Sequence, residues 1–178
     1  SKTLHDHLES YHFREVVAFE MLNLDLLSLQ GPKSILVLEK IFSSLPEKAN
    51  DIKQNDFKGV PLTVIKKSFT GEEGFIICLP SELKENFTQK LVNAETQLTK
   101  IGKQAREILR IEAGIPVFGK DMDGKNILPE TGLEHSSVSY NKGCYIGQEV
   151  IARIKTYGAP NFALMGLTIE GPISPPMN

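Results

Sequence analysis

Residues 60–79 read V-P-L-T-V-I-K-K-S-F-T-G-E-E-G-F-I-I-C-L, two β-compatible runs on either side of a polar reversal. The flanks are rich in branched and aromatic side chains, and Thr70-Gly71-Glu72-Glu73-Gly74 has the composition of a turn. The stretch predicts an antiparallel strand pair over 60–69 and 75–79, with Cys78 in the core as a small apolar residue. Pro80-Ser81 follows at once and reads as a helix start, with Ser81 as N-cap and Glu82 and Glu85 near the positive end of the helix dipole. Leu83, Phe87, Leu91, Ala94 and Leu98 then form one apolar stripe. A strand pair followed by a helix with one greasy face predicts an α+β fold, antiparallel strands with helices packed on one face.

Working upstream, residues 48–58 are polar and read as a loop. Gly31-Pro32 opens a helix whose buried face is Ile35, Leu38, Phe42 and Leu45. Residues 15–19 and 24–30 read as two strands meeting at Asn23. A short helix over 3–11 aligns Leu4, Leu8 and Tyr11. His5 and His7 point to different sides of such a helix, so no metal site is read there or elsewhere.

Downstream, Ile101, Ala105, Ile108 and Leu109 define another amphipathic helix, ended by Gly114, Ile115 and Pro116. Its opposite side carries Lys103, Arg106 and Arg110. Arg106 and Arg110 stand one turn apart, placed either to grip one anion together or to sit solvated or bridged to Glu107 or Glu112. Asp121-Met122-Asp123-Gly124-Lys125 reads as a tight turn rather than a cation loop.

The chemistry-bearing stretch is N-K-G-C-Y-I-G-Q-E, residues 141–149, which sets a cysteine between two glycines ahead of a helical pattern in Val150, Ile151, Ile154 and Tyr157. A helix N-terminus favours negative charge, and the Lys142 cation adds to it, so Cys144 is a candidate catalytic thiolate with Lys142 as its helper. The competing reading is a buried cysteine acting as apolar filler beside a solvated lysine. Residues 158–161 read as a linker, 162–170 as a strand, and 171–176 as irregular.

Composition narrows the field. A chain of 178 residues with 40% hydrophobic content can build a core, and a net charge of -2 without a charge run gives no nucleic-acid footprint. Two cysteines offer no disulfide framework, and no apolar run reaches membrane-spanning length. A reducing compartment is expected, cytoplasmic or, in a eukaryote, the mitochondrial matrix.

K-G-C-Y-I-G-Q-E resembles the signature of the YgfZ family, folate-binding proteins of iron–sulfur cluster assembly and repair. Further stretches share their order with the wider superfamily that joins YgfZ proteins to the glycine-cleavage T-protein, an aminomethyltransferase. These are Gln30-Gly31-Pro32-Lys33-Ser34, Phe69-Thr70-Gly71-Glu72-Glu73-Gly74-Phe75, Leu109-Arg110-Ile111-Glu112-Ala113-Gly114 and Ile127-Leu128-Pro129-Glu130-Thr131. The resemblance implies a T-protein-like folate-binding fold, with residues 1–157 a central portion lacking its N-terminal part and 158–178 a linker and the first strand of a truncated C-terminal β-barrel.

It further implies tetrahydrofolate as cofactor, with Phe69, Arg106, Tyr145 and Gln148 as candidate contacts, and iron–sulfur enzymes or assembly factors as partners, tRNA modification among the processes served. The T-protein glutamate that grips the pterin corresponds here to Ile76, which cannot accept those hydrogen bonds, and its catalytic aspartate would lie before Ser1. Three functions stand at this point: a YgfZ-like accessory protein working through Cys144, a tetrahydrofolate-dependent aminomethyltransferase, and a folate-binding module without chemistry.

Overall fold

The computed structural model describes residues 2–95 and 97–171, and the expectation for the segment beyond Gly171 lies outside them. The chain divides into two compact units, Ser1–Ser68 with Glu72–Lys100, and Phe69–Gly71 with Ile101–Asn178.

The first unit contains the expected α+β architecture. Its strands are β1 (Asp25–Gln30), β2 (Ile52–Phe57), β3 (Val60–Lys66) and β4 (Gly74–Leu79), in one antiparallel sheet of order β1-β4-β3-β2. The pair read from 60–79 is β3 and β4, with Thr63 opposite Cys78 and Lys66 opposite Phe75. One sheet face carries Leu29, Leu62, Val64, Phe75, Ile77 and Leu79, all buried. Against this face pack α2 (Ser34–Glu39) through Val37 and Leu38, and α3 (Lys84–Ala94) through Phe87 and Leu91. Phe87 stacks on Phe42 with ring centres 5.6 Å apart and meets Phe57 edge-on at 5.0 Å, the geometries that ring quadrupoles favour. The reversal before β4 is fastened to the start of α2, where Gly31 N–H and the Ser34 hydroxyl both donate to the Glu73 carbonyl.

Several expectations are corrected in this unit. Residues 48–58 are not a loop, because 52–57 form β2. Lys58 and Gly59, both at positive φ, close a two-residue turn that places Phe57 opposite Val60 and so brings polar residues into the ladder. Residues 15–19 form no strand. Val16 is fully exposed there, while the Glu15 carboxylate folds back onto the Phe13 and Arg14 amides, which hold it down at about pKa 2.

Ser81 is not an N-cap either. It begins a 3₁₀ turn, Ser81–Leu83, and α3 starts behind it without a side-chain cap. Cys78 is half-buried rather than core, since strand alternation turns it with Ile76 to the sheet face away from α2 and α3. The short helix foreseen at the start of the chain is α1 (Lys2–Ser10).

The second unit holds α4 (Lys103–Glu112), a 3₁₀ turn Leu128–Thr131, α5 (Glu134–Ser137) and α6 (Gln148–Tyr157), with α5 and α6 both against the 3₁₀ turn. Here α4 faces opposite to the sense its periodicity suggests. Ile108, Leu109 and Ile111 are exposed, and Arg110 is the buried residue at 7% exposure. The cause is a polar network: Arg110 donates to Glu107 Oε2 at 2.9 Å, Asp121 Oδ2 at 2.6 Å and the Ile115 carbonyl at 3.2 Å. Residues 162–170 form no strand; among the described residues their backbone bonds outward once, from Leu164 N–H to the Glu130 carbonyl. No described helix is long and apolar enough to cross a membrane.

Candidate functional site

The site is built on the loop that leads into α6. Gly147 stands at φ +83, a left-handed conformation that glycine alone adopts freely, and acts as N-cap to the helix that Gln148 begins. The turn before it is closed by Gln148 N–H donating to the Tyr145 carbonyl at 3.1 Å, and the helical ladder starts with Ile151 N–H on the Gly147 carbonyl. Cys144 therefore precedes α6 by one turn of chain, and its thiol is free and exposed. The apolar-filler reading of this cysteine does not hold.

The residues that flank Cys144 in the sequence are cationic and aromatic. Lys142 holds its ammonium 4.9 Å from the centre of the Tyr145 ring, a cation–π contact. Tyr145 is half-buried, and its buried hydroxyl has no hydrogen-bond partner among the described residues. A buried hydroxyl left unmatched is costly, so this atom is where a water or a ligand acceptor would be held. Gln148 is half-buried beside it in sequence, at the first position of α6.

A second cluster adjoins the loop and was not anticipated. Tyr140 donates its hydroxyl to Glu134, and Lys155 of α6 lies 3.5 Å above the Tyr140 ring and 3.8 Å from the Glu134 carboxylate. The hydrogen bond to Glu134, aided by burial and by that negative charge, pushes the Tyr140 hydroxyl up to about 12, so it stays protonated as a donor. The signal available in sequence was slight: a tyrosine four residues before Cys144 and a lysine at the eighth position of α6.

The folate candidates from other elements fall in this unit as well. Phe69 is exposed and belongs to the 69–71 turn, which is anchored to the end of α4 where Gly71 meets Ala113. A Cβ built on Gly71 would stand 3.0 Å from that of Ala113, and its φ of +81 suits glycine. Arg106 is exposed on α4, 3.9 Å from Glu107 Oε1. It does not join Arg110 in gripping one anion, because Arg110 is consumed by Glu107 and Asp121. Glu107 in turn takes Lys120 at 2.7 Å, and these two hydrogen-bonded cations hold its carboxyl down at about 2.

The carboxylates of the 121–130 turn are likewise committed. Asp121 accepts from Val117 N–H, Asp123 from Lys125 N–H and Glu130 from Ile127 N–H. Ile76 lies in β4 on the half-exposed sheet face, opposite Ser28 and Ile65.

Tested against a reduced folate, this set fits in part. The aromatic ring of Phe69, the guanidinium of Arg106 and the hydroxyl of Tyr145 are the side-chain types that a flat heterocycle with a carboxylate tail calls for. Ile76, at the position that resembles the pterin-gripping glutamate of the T-protein, offers no side-chain acceptor.

Comparison with known proteins places the fold. The GCVT N-terminal domain family matches residues 2–142. An aminomethyltransferase of Chlorobium phaeovibrioides is 33% identical over 156 residues, covering 83% of this chain and 41% of the relative, and one of Bacillus cytotoxicus is 34% identical over 152 residues, covering 80% and 40%. The chain thus spans about two fifths of the length of these curated relatives. The crystal structure of the glycine cleavage system aminomethyltransferase T from Bartonella henselae superposes with a TM-score of 0.71 at 24% identity, over 89% of this chain and 44% of that one, a likeness of fold. With most of its length matched by that family, the chain belongs to the GCVT N-terminal domain family.

Proposed function

We propose that this T-protein-like domain binds a reduced folate and serves a YgfZ-type role in iron–sulfur cluster assembly or repair, with Cys144 supplying the essential thiol. The observation that carries the reading is the exposed sulfur on the loop framed by Gly143 and Gly147, beside Lys142 and Tyr145. A reduced folate supplies one-carbon or redox-active heterocycle chemistry when bound. Arg106 would hold its carboxylate tail, Phe69 its aromatic body, and Tyr145 with Gln148 a polar edge. Ile76 makes the grip weaker or differently posed than a glutamate would, because pterin donors left unpaired cost about 1–3 kcal/mol.

Complementation tests this directly. In cells lacking their resident YgfZ-type protein, the chain in its natural polypeptide context is expected to restore iron–sulfur enzyme activity, and its Cys144→Ala variant is expected not to. Restoration by Cys144→Ala would eliminate the proposal. Calorimetric titration of tetrahydrofolate, with and without Arg106→Ala, tests the folate half separately.

A second reading is aminomethyl transfer to tetrahydrofolate, favoured by the relatives above, which are named aminomethyltransferases. Ammonia release from an aminomethylated lipoyl carrier, dependent on tetrahydrofolate, would establish it. Its absence in the full polypeptide would leave the thiol-based reading.

A further inference from the structure

Both ends of the Cys144 loop are tied to one carboxylate, that of Glu134. Tyr140, the residue that opens the loop, donates its hydroxyl to Glu134. Lys155, in the last turn of the helix that closes the loop, stands 3.8 Å from Glu134 Oε1 and 3.5 Å from the centre of the Tyr140 ring. Glu134 is the first residue of α5, and α5 and α6 both pack against the 3₁₀ turn Leu128–Thr131. Hydroxyl, carboxylate and ammonium therefore join the start of the loop, α5 and α6 at a single point.

Little else holds the loop in place. Among the described residues, no backbone N–H from Ser139 to Gly147 donates to another backbone group. Every residue from Asn141 to Gly147 except Tyr145 is exposed. A segment with neither ladder bonds nor burial keeps most of its backbone freedom, so its course is set by its fastenings. Lys142 over the Tyr145 ring is a fastening within the loop, and it leaves the loop free to move as a whole.

The Glu134 contact has the chemistry of a specific fastening. A half-buried tyrosine hydroxyl needs an acceptor, and an ammonium held against an aromatic face is steadied by an anion within reach. One carboxylate meets both needs, and hydrogen bonds to an ionised acceptor are the strong kind.

We propose that Glu134 is a positioning residue for Cys144. Through Tyr140 and Lys155 its carboxylate fixes both ends of the loop, and so sets where the thiol stands relative to Lys142 and the start of α6. That the loop is the working site rests on the function proposed above; that Glu134 holds the loop does not.

The test attaches a nitroxide to Cys144 in the 178-residue chain carrying Cys78→Ser, so that one thiol is labelled, and reads loop mobility from its electron paramagnetic resonance line shape. Glu134→Ala, Tyr140→Phe and Lys155→Gln are each expected to shift the spectrum to faster motion, and Lys155→Arg, which keeps the charge over the ring, is expected to retain the original line shape. Because Tyr140 and Lys155 act through the same carboxylate, adding either change to Glu134→Ala is expected to do nothing more. Unchanged amide spectra outside 134–157 show that the variants are folded. In the complementation assay, Tyr140→Phe and Lys155→Gln are expected to lower restored enzyme activity about tenfold, as a misplaced reactive group does, with Lys155→Arg retaining it. The proposal is overturned if Tyr140→Phe and Glu134→Ala leave the line shape unmoved, if their effects simply add, or if Tyr140→Phe and Lys155→Gln complement fully. The line shape is read with no folate or client protein present, so a parent chain that fails to complement counts against the proposed function and not against the role of Glu134.

Discussion

Cys144 and Cys78 are the same side chain in opposite settings, and the difference is testable. Cys78 is partly enclosed on β4 opposite Leu26 and Thr63, and burial pushes its thiol up, whereas Cys144 is exposed. Limited iodoacetamide at neutral pH is expected to alkylate Cys144 first, about tenfold or more ahead of Cys78, as read by peptide mass spectrometry. Preferential labelling of Cys78 would contradict this assignment of settings. Ile76 carries the second prediction at this scale. It occupies the position resembling the pterin-gripping glutamate, and it lies on the half-exposed sheet face, where a carboxylate would keep access to water. Ile76→Glu is therefore expected to fold and to tighten tetrahydrofolate by about five- to a hundredfold, the equivalent of about 1–3 kcal/mol. An unchanged calorimetric Kd would remove the T-protein pose from the folate proposal.

Among the elements, α3 does most to close the core, through Phe87 against Phe42 and Phe57. Phe87→Ala is expected to lower the stability of the first unit by about 3–5 kcal/mol in urea unfolding, and a loss below about 1 kcal/mol would show the packing to be dispensable. That contribution was visible beforehand, since the Phe87 and Leu91 stripe needs only helical spacing. β3 and β4 were legible for a similar reason, their apolar runs being separated by a turn of the right composition. β2 was not. It is an edge strand with a single buried residue, Phe57, and it is specified by the Lys58-Gly59 turn rather than by its own side chains. Periodicity found α4 but reversed its face, because an arginine satisfied by two carboxylates can be buried where hydropathy alone would expose it. The Cys144 loop and the start of α6 could be read locally. The bond from Tyr140 to Glu134 beneath Lys155 could not, since it depends on how α5 and α6 share the 3₁₀ turn.

Over the whole molecule, hydrophobic burial is unevenly shared. Every buried core hydrophobe among the described residues lies in the first unit, and the second unit buries Arg110 and Thr131. Order in the second unit thus leans on the ionised network of Glu107, Arg110, Lys120 and Asp121. Glu107 titrates at about 2 when folded, against about 4.3 in an unfolded chain. A carboxyl depressed by folding binds fewer protons in the native state, so its stabilisation is complete above the unfolded pKa and is lost as pH falls from about 4.3 towards 2. Glu15 in the first unit, also at about 2, fastens only the loop at Phe13 and Arg14, and its protonation leaves the apolar sheet core untouched. Acidification is therefore expected to strip hydrogen-exchange protection from α4 and α6 while β3 and β4 remain protected. Unfolding in acid will accordingly not follow a single two-state transition. Glu107→Gln is expected to lower protection of α4 at neutral pH and to flatten its dependence below about pH 4. Loss of protection from both units at one common midpoint, or an acid profile of α4 unaltered by Glu107→Gln, would show that the ionic network does not hold the second unit together.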